Sequence, residues 1–451
     1  MTFQTNFPLE PTKLPYITVS AKGISNGLSN IPNDGADFGP DTMLGATSKD
    51  QYGPPYTQTS GLQEAWNYAF ATAKGYSSYS GGTVYWMRPI LLLDGVFTLN
   101  QKVFLSPSKR IMNPKMIGSG SMSTYVMWNF NDNCIEIDHT SSNIQYANIE
   151  IGYMQPVASG NAYSATGKAF FAANYVSGDP SYQANTFQSY DMDFSNDFNG
   201  NAMFSLTGFQ KIILYNPQAY FGGVYGILYT ENTRYVSVLG GFSGGNPYSF
   251  YLNNVESFVV YGSNTGGGGI VLSNVNYVYI DNFDVAYAIL INGNVEYLHL
   301  DRVNSSSNVE LLNTQGSSAV TIQKLKIGEL NVSTNTNTLS GSNLITINDI
   351  EVGTFNIASG AAISGQWVNS PATPAVPASG TAVTNTNLYP VLVYINGGAI
   401  TNITRKTITG TSYTVYSNST ASPVYMPVKL ENGESITITY TTAPTWTWVP
   451  A

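Results

Sequence analysis

Between residues 230 and 300 apolar and polar positions alternate in short bursts, and the bursts recur. Segments 230–238, 253–260, 273–280 and 293–300 align at a period of about 20 to 22 residues. In each, an asparagine (Asn232, Asn254, Asn274, Asn294) precedes a run whose alternate positions are apolar: Val236/Val238, Phe258/Val260, Val278/Ile280 and Leu298/Leu300. Period-two alternation predicts a strand with one buried face. A second short apolar run precedes each asparagine, at 227–228, 250–252, 270–272 and 289–291, and segment 344–350 reads as a later copy with Asp349 in the asparagine's place. Two or three short strands per repeat are what a β-solenoid needs, with coils about 4.8 Å apart. The asparagines then form a structural ladder at one corner, each amide bonding the next.

The pattern changes on either side. Residues 1–32 carry no sustained period and read as an arm. Residues 61–73 place apolar side chains at 62, 65, 66, 69, 70 and 73, the spacing of one amphipathic helix. Short strand-like runs between turns follow, at 81–86, 90–95, 97–99 and 116–121. Coils between about 124 and 200 have no clear register. Residues 361–380 form a Pro/Ala-rich linker. Beyond it, 381–451 alternates strand-like runs with turns such as Asn396-Gly397-Gly398 and Glu431-Asn432-Gly433, predicting a small antiparallel β-sandwich.

Two stretches resemble known families. Asp34-Gly35-Ala36, Asp41-Thr42, the helix, Gly81-Gly82-Thr83-Val84-Tyr85 and Ile117-Gly118-Ser119-Gly120-Ser121 follow one another as at the entry of pectate-lyase-like right-handed β-helices, including many viral tailspikes. Residues 43–60 are inserted between Thr42 and the helix. Segments 377–387 and 442–448 resemble a terminal β-module of viral tail and fibre proteins. The resemblance implies an all-β chain: a right-handed parallel β-helix over 33–360 with an N-terminal capping helix, then the β-sandwich. It also implies a homotrimeric spike or tail fibre that contacts other virion proteins and attaches to a host surface glycan or glycoprotein.

Composition narrows the partners. Of 451 residues 18 are basic and 27 acidic, a net charge of −9, so a broad basic face for nucleic acid is excluded. Asparagine is as frequent as all four charged types together, giving a polar, uncharged surface. Such a surface suits acidic surroundings, as for archaeal viruses, although abundant asparagine argues against extreme heat. One cysteine, Cys134, excludes an internal disulfide, and two histidines leave little for a metal site, so no metal or other cofactor is expected. No apolar run is long enough to insert in a membrane, and the first residues lack the pattern of a secretory leader, so release within an assembled particle is the expectation.

The alternation that sends Val278 and Ile280 inward sends Tyr277 and Tyr279 outward, and likewise Tyr235, Tyr297 and His299. An aromatic column rimmed by amides suits sugar rings; it equally suits packing against another subunit. A polysaccharide-cleaving site would need two carboxylates about 5 to 9.5 Å apart. The candidates are Asp191 with Asp193, on one face if they share a strand, and Glu256 with Glu296, two coils or about 9 to 10 Å apart. Asp281 and Asp284 follow one repeat strand. The pectinase signatures N-T-D, D-D, G-H-G and R-I-K are absent. Gly266–Gly269 reads as a solenoid corner rather than a phosphate loop. Tripeptides starting at Asn304, Asn331, Asn402 and Asn418 fit the glycosylation acceptor pattern, which matters only if the host glycosylates its external proteins.

Overall fold

The computed structural model describes residues 16–23, 35–49, 51–77, 83–106, 111–137, 146–160, 162, 168–174, 185–195, 202–220, 224–244, 248–262, 269–285, 289–305, 312–313, 320–332, 336–338, 345–357, 362–364, 373–386, 390–431 and 433–450. Most of the expected arm and Gly266–Gly268 lie outside the described residues.

The chain is a parallel β-helix followed by an antiparallel sheet. One 18-stranded sheet carries the helix, because the longer strands run through a corner and serve two faces. Its register is the repeat read from the sequence: Val236, Phe258, Val278 and Leu298 pair in succession, as do Val238, Val260, Ile280 and Leu300. All eight are buried. The preceding runs stack likewise, Leu228 on Phe250 on Ile270 on Ile289. Toward the N-terminus the same column continues through Phe204 to Phe171. There Phe187 packs between Phe171, Phe204 and Phe209 at ring-centroid distances of 5.4, 5.1 and 6.2 Å. Cys134 lies inside the same core, where burial pushes its thiol pKa well up.

Two corners explain the repeat. Asn232, Asn254 and Asn274 have φ of 51°, 54° and 54°, in the left-handed region that asparagine tolerates better than most residues. The Asn254 amide donates to Asn232 Oδ1 at 2.6 Å. Asn294 keeps the place but not the left-handed backbone; its Oδ1 accepts from Thr321 N at 3.2 Å. Its neighbour Gly293 lies so close to Asn274 that an added Cβ would sit 2.6 Å from Asn274 Oδ1. The second corner repeats the left-handed turn at Tyr153, Asp191, Asn216, Gly240, Gly262, Asn282 and Arg302.

Several expectations are corrected. Ile17–Val19, assigned to the arm, is a strand of the helix: it pairs with Ile90–Leu92, and Ile17 and Val19 are fully buried. The capping helix spans Leu62–Ala71 and buries Leu62, Ala65, Trp66 and Ala69. The insertion before it is fastened by Glu64, a buried carboxylate that accepts from Thr57 Oγ1 at 2.7 Å, Thr59 Oγ1 at 3.3 Å and Gly45 N at 3.2 Å. A coil absent from the repeat reading, Val320–Val332, intervenes before Ile345–Ile357. Asp349 consequently pairs with Lys324, in the column of Tyr297, not in the asparagine's place.

The C-terminal region is the expected antiparallel β-module, hydrogen-bonded as one five-stranded sheet. Val391–Lys406 pairs along its length with Ser412–Leu430, while its first half also pairs with Thr445–Pro450 and its second with Ser435–Thr442. Both halves close on one core that includes Val393, Ile403, Val428, Ile438, Trp446 and Trp448. The end of the Pro/Ala segment is seated on it: Trp446 Nε1 donates to the Pro374 carbonyl at 2.6 Å, and Trp448 N donates to Thr373 Oγ1. Among the described residues no helix is long and apolar enough to cross a membrane.

Candidate functional site

The strands that bury Val278, Ile280, Leu298 and Leu300 present their other face to solvent, and parallel register stacks like positions. Tyr277 pairs with Tyr297, and their rings lie 5.2 Å apart and 10° from parallel. Tyr277 is 40% exposed and Tyr297 half-buried, so the stack is open on the Tyr277 side. Tyr279 pairs with His299, edge to face at 4.8 Å, and Tyr261 packs on Tyr279 at 5.4 Å. The result is a half-buried aromatic platform two coils deep. Tyr235 belongs to the same column but stands apart from the platform, because Ser257 occupies the coil between it and Tyr277.

Charged groups frame this platform on two sides. Asp281 and Asp301 are register partners just before the left-handed corner, beyond Tyr279 and His299. Arg302, turned at the left-handed corner, clasps Asp281 with both Nε and Nη2. On the next coil Lys324 and Lys326 follow Tyr297 and His299, and Glu351 lies 3.7 and 2.9 Å from their ammonium groups. Lys326 pulls the Glu351 carboxyl below its usual range. Partial burial and the Lys326 charge lower the His299 pKa, with Asp301, Glu351 and Asp281 opposing, so the imidazole is neutral near pH 7. Burial, then the neighbouring phenols, raises the Tyr277 pKa.

The carboxylates proposed for catalysis fall in three places. Asp191 is not in a strand with Asp193: it occupies the left-handed corner with φ of 42°, where its Oδ1 accepts from the Asn216 amide at 2.8 Å. Asp193 begins the next short strand, Asp193–Ser195, beyond that corner. Burial raises its pKa, and its Oδ1 has no hydrogen-bond partner among the described residues. Glu256 and Glu296 do lie two coils apart with Asn276 between, as their neighbours' register requires. Glu256 is bonded to Arg234 and accepts from the Tyr235 hydroxyl at 3.1 Å. The register therefore brings together the platform residues and Asp281 with Asp301, and leaves the Asp191/Asp193 and Glu256/Glu296 pairs outside it. Asp284 accepts from the Asn304 amide at 2.6 Å. The side chain of Asn331 lies outside what the structure describes. Asn402 has its amide oxygen buried, whereas Asn418 is exposed and donates to Ser422 Oγ. No group of three or more metal-ligating side chains occurs among the described residues.

Two further aromatic columns escaped the sequence reading. Tyr153, Tyr190 and Tyr215 stack beside the second corner at 5.9 and 4.8 Å, within 5° of parallel. Their signal is a tyrosine at or just before three of the left-handed corner residues, Tyr153, Asp191 and Asn216. On the neighbouring face Tyr229 stacks on Tyr251 at 4.6 Å, with Tyr225 and Tyr248 alongside. Tyr229 donates to Glu231 at 2.7 Å, and burial with that carboxylate pushes its pKa up.

No family model matches the chain, and no curated protein does. Three solved structures are similar to it over most of its length. The ORF18 protein of Geobacillus virus E2 has 11% identity and a TM-score of 0.43, covering 87% of this chain and 75% of that one. Tailspike protein 4 of bacteriophage CBA120, in its enzymatically active domain, has 10% identity and a TM-score of 0.38, covering 89% and 67%. Full-length tailspike protein 2 from an Escherichia coli O157:H7 bacteriophage has 10% identity and a TM-score of 0.40, again covering 89% and 67%.

Proposed function

We propose that this chain is an attachment protein of a viral particle and binds cell-surface glycans on the Tyr277/Tyr297 platform. The parallel, exposed stack of Tyr277 on Tyr297 carries the reading. Two near-parallel rings offer apolar area to the apolar face of a sugar, and the flanking Asp301 and Lys326 supply partners for hydroxyl groups. Attachment to a virion is supported by the entry sequence and the terminal β-module that resemble viral spikes. A homotrimer and contacts with other virion proteins are part of the same proposal.

The test is retention of the full chain on a panel of microbial envelope polysaccharides, with new chain ends scored in the same samples. Expected is retention without shortening, weakened roughly two- to tenfold by Tyr277→Ala with Tyr297→Ala, since an aromatic contact contributes about 0.5 to 1.5 kcal/mol. Retention unchanged in that double variant, or no retention on any polysaccharide, would sink the platform. Shortened chains would make the protein a depolymerase and overturn the assignment to attachment alone.

A further inference from the structure

The C-terminal sheet carries a second surface of the same chemical kind, built differently. In Val391–Lys406 the side chains of Val393 and Ile395 enter the core, so Tyr394 and Asn396 face out. Antiparallel register sets Pro427 and Tyr425 beside them on one flank and Thr447 and Thr445 on the other. Their neighbours Val424, Val428, Trp446 and Trp448 are all buried, which fixes the outward direction of all six. Tyr425 is 74% and Tyr394 46% exposed.

We infer that this three-stranded face is a second glycan-binding site, specific for a neutral saccharide. Three observations favour that occupant. First, the six residues are uncharged, and Lys429 at the edge is matched by Glu431 at 3.1 Å; the β-helix platform, in contrast, is framed by Asp281, Asp301, Lys324 and Lys326. A site without charge gives an acidic or basic ligand no counter-ion. Second, two phenol rings beside an amide and two threonine hydroxyls offer apolar faces and hydrogen bonds together, as a sugar does. Third, three strands and three residues along each give a patch of about 10 by 10 Å. That is far below the roughly 800 Å² per partner of a stable protein interface, and sufficient for one or two sugar rings.

The experiment is electrophoresis of the full chain through native gels containing dextran, galactomannan or mixed-linkage β-glucan, with polygalacturonate as the anionic control. At least one neutral polymer should retard the protein. Tyr394→Ala with Tyr425→Ala should weaken that retardation at least tenfold, Tyr425→Phe should keep most of it, and Tyr277→Ala with Tyr297→Ala should leave it intact. The two double variants separate this site from the platform, so either can fail alone. A wild-type chain that no neutral polymer retards, or a Tyr394/Tyr425 variant retarded like wild type, overturns the inference. So does concentration-dependent self-association in sedimentation that the same two substitutions abolish, which would make the occupant a second copy of the chain.

Discussion

The β-helix and the C-terminal sheet both display tyrosines, but they hold them in opposite ways. In the helix, parallel coils put Tyr277 over Tyr297 and Tyr229 over Tyr251, so each ring is supported by its copy in the neighbouring coil. In the antiparallel sheet Tyr394 faces Pro427 and Thr447, and Tyr425 faces Asn396, so no ring meets its like across a pair. The helix thereby makes long columns that pack tightly; the sheet makes a small patch with rings that stand free. Parallel register multiplies a residue choice along an axis, whereas antiparallel register confines it to one spot.

The largest effect that could break this comparison is on stability. The two regions have separate hydrophobic cores, so calorimetry should resolve two transitions. Phe187→Ala, which empties a fully buried position between three other phenylalanines, should lower the helix transition by about 3 to 5 kcal/mol and leave the other in place. Both transitions moving together would show that the cores unfold as one.

A smaller effect tests the corner. Asn254→Ala forces a Cβ residue without a local amide into φ of 54° and removes the bond to Asn232, at a cost of about 1 to 2 kcal/mol. Asn254→Gly should recover most of the thermal midpoint, because the backbone conformation outweighs the single hydrogen bond. If glycine were as damaging as alanine, the ladder bond would be the larger part.

The smallest effect is on pH dependence. His299 has a native pKa below its unfolded value, with Tyr279, Tyr297, Lys326, Asp281, Asp301 and Glu351 around it. Its contribution is fully present above about pH 6.5, and is lost as the pH falls from there through the native value, since the unfolded chain takes the proton first. Wild type should therefore lose more thermal stability than His299→Asn between pH 7.5 and 5. Parallel curves for the two proteins would remove His299 from the account.

The sequence made the helix legible wherever one coil repeats the next. Asn232, Asn254 and Asn274 mark the corner because few other side chains tolerate a left-handed backbone, and the alternate Val, Phe, Ile and Leu positions gave the correct inward column. Legibility failed where the same physics was met by other residues. The second corner uses Tyr153, Asp191, Gly240 and Arg302 at equivalent places, so no residue type announces it, and period-two spacing alone leaves open whether Asp191 and Asp193 share a strand. Coil Val320–Val332 carries Lys324 and Lys326 where its predecessor has Tyr297 and His299, and went unnoticed. Alternation gives the outward direction of Tyr277 and Tyr279, but Asp281 with Asp301 emerge as register partners only when the coils are aligned. Tyr394 and Tyr425 lie far apart in sequence and meet only through antiparallel pairing, which no periodicity encodes.

Cys134 has a practical consequence. The chain has a single thiol, and it is sealed inside the helix in a form that resists ionisation. The outer surface is therefore chemically silent toward thiol reagents. One cysteine placed beside Tyr425 and another, in a separate variant, beside Tyr277 would each be the sole reactive handle on the molecule. Dyes attached there would report from either face what lands on it, in the same protein and without removing any native residue from the core.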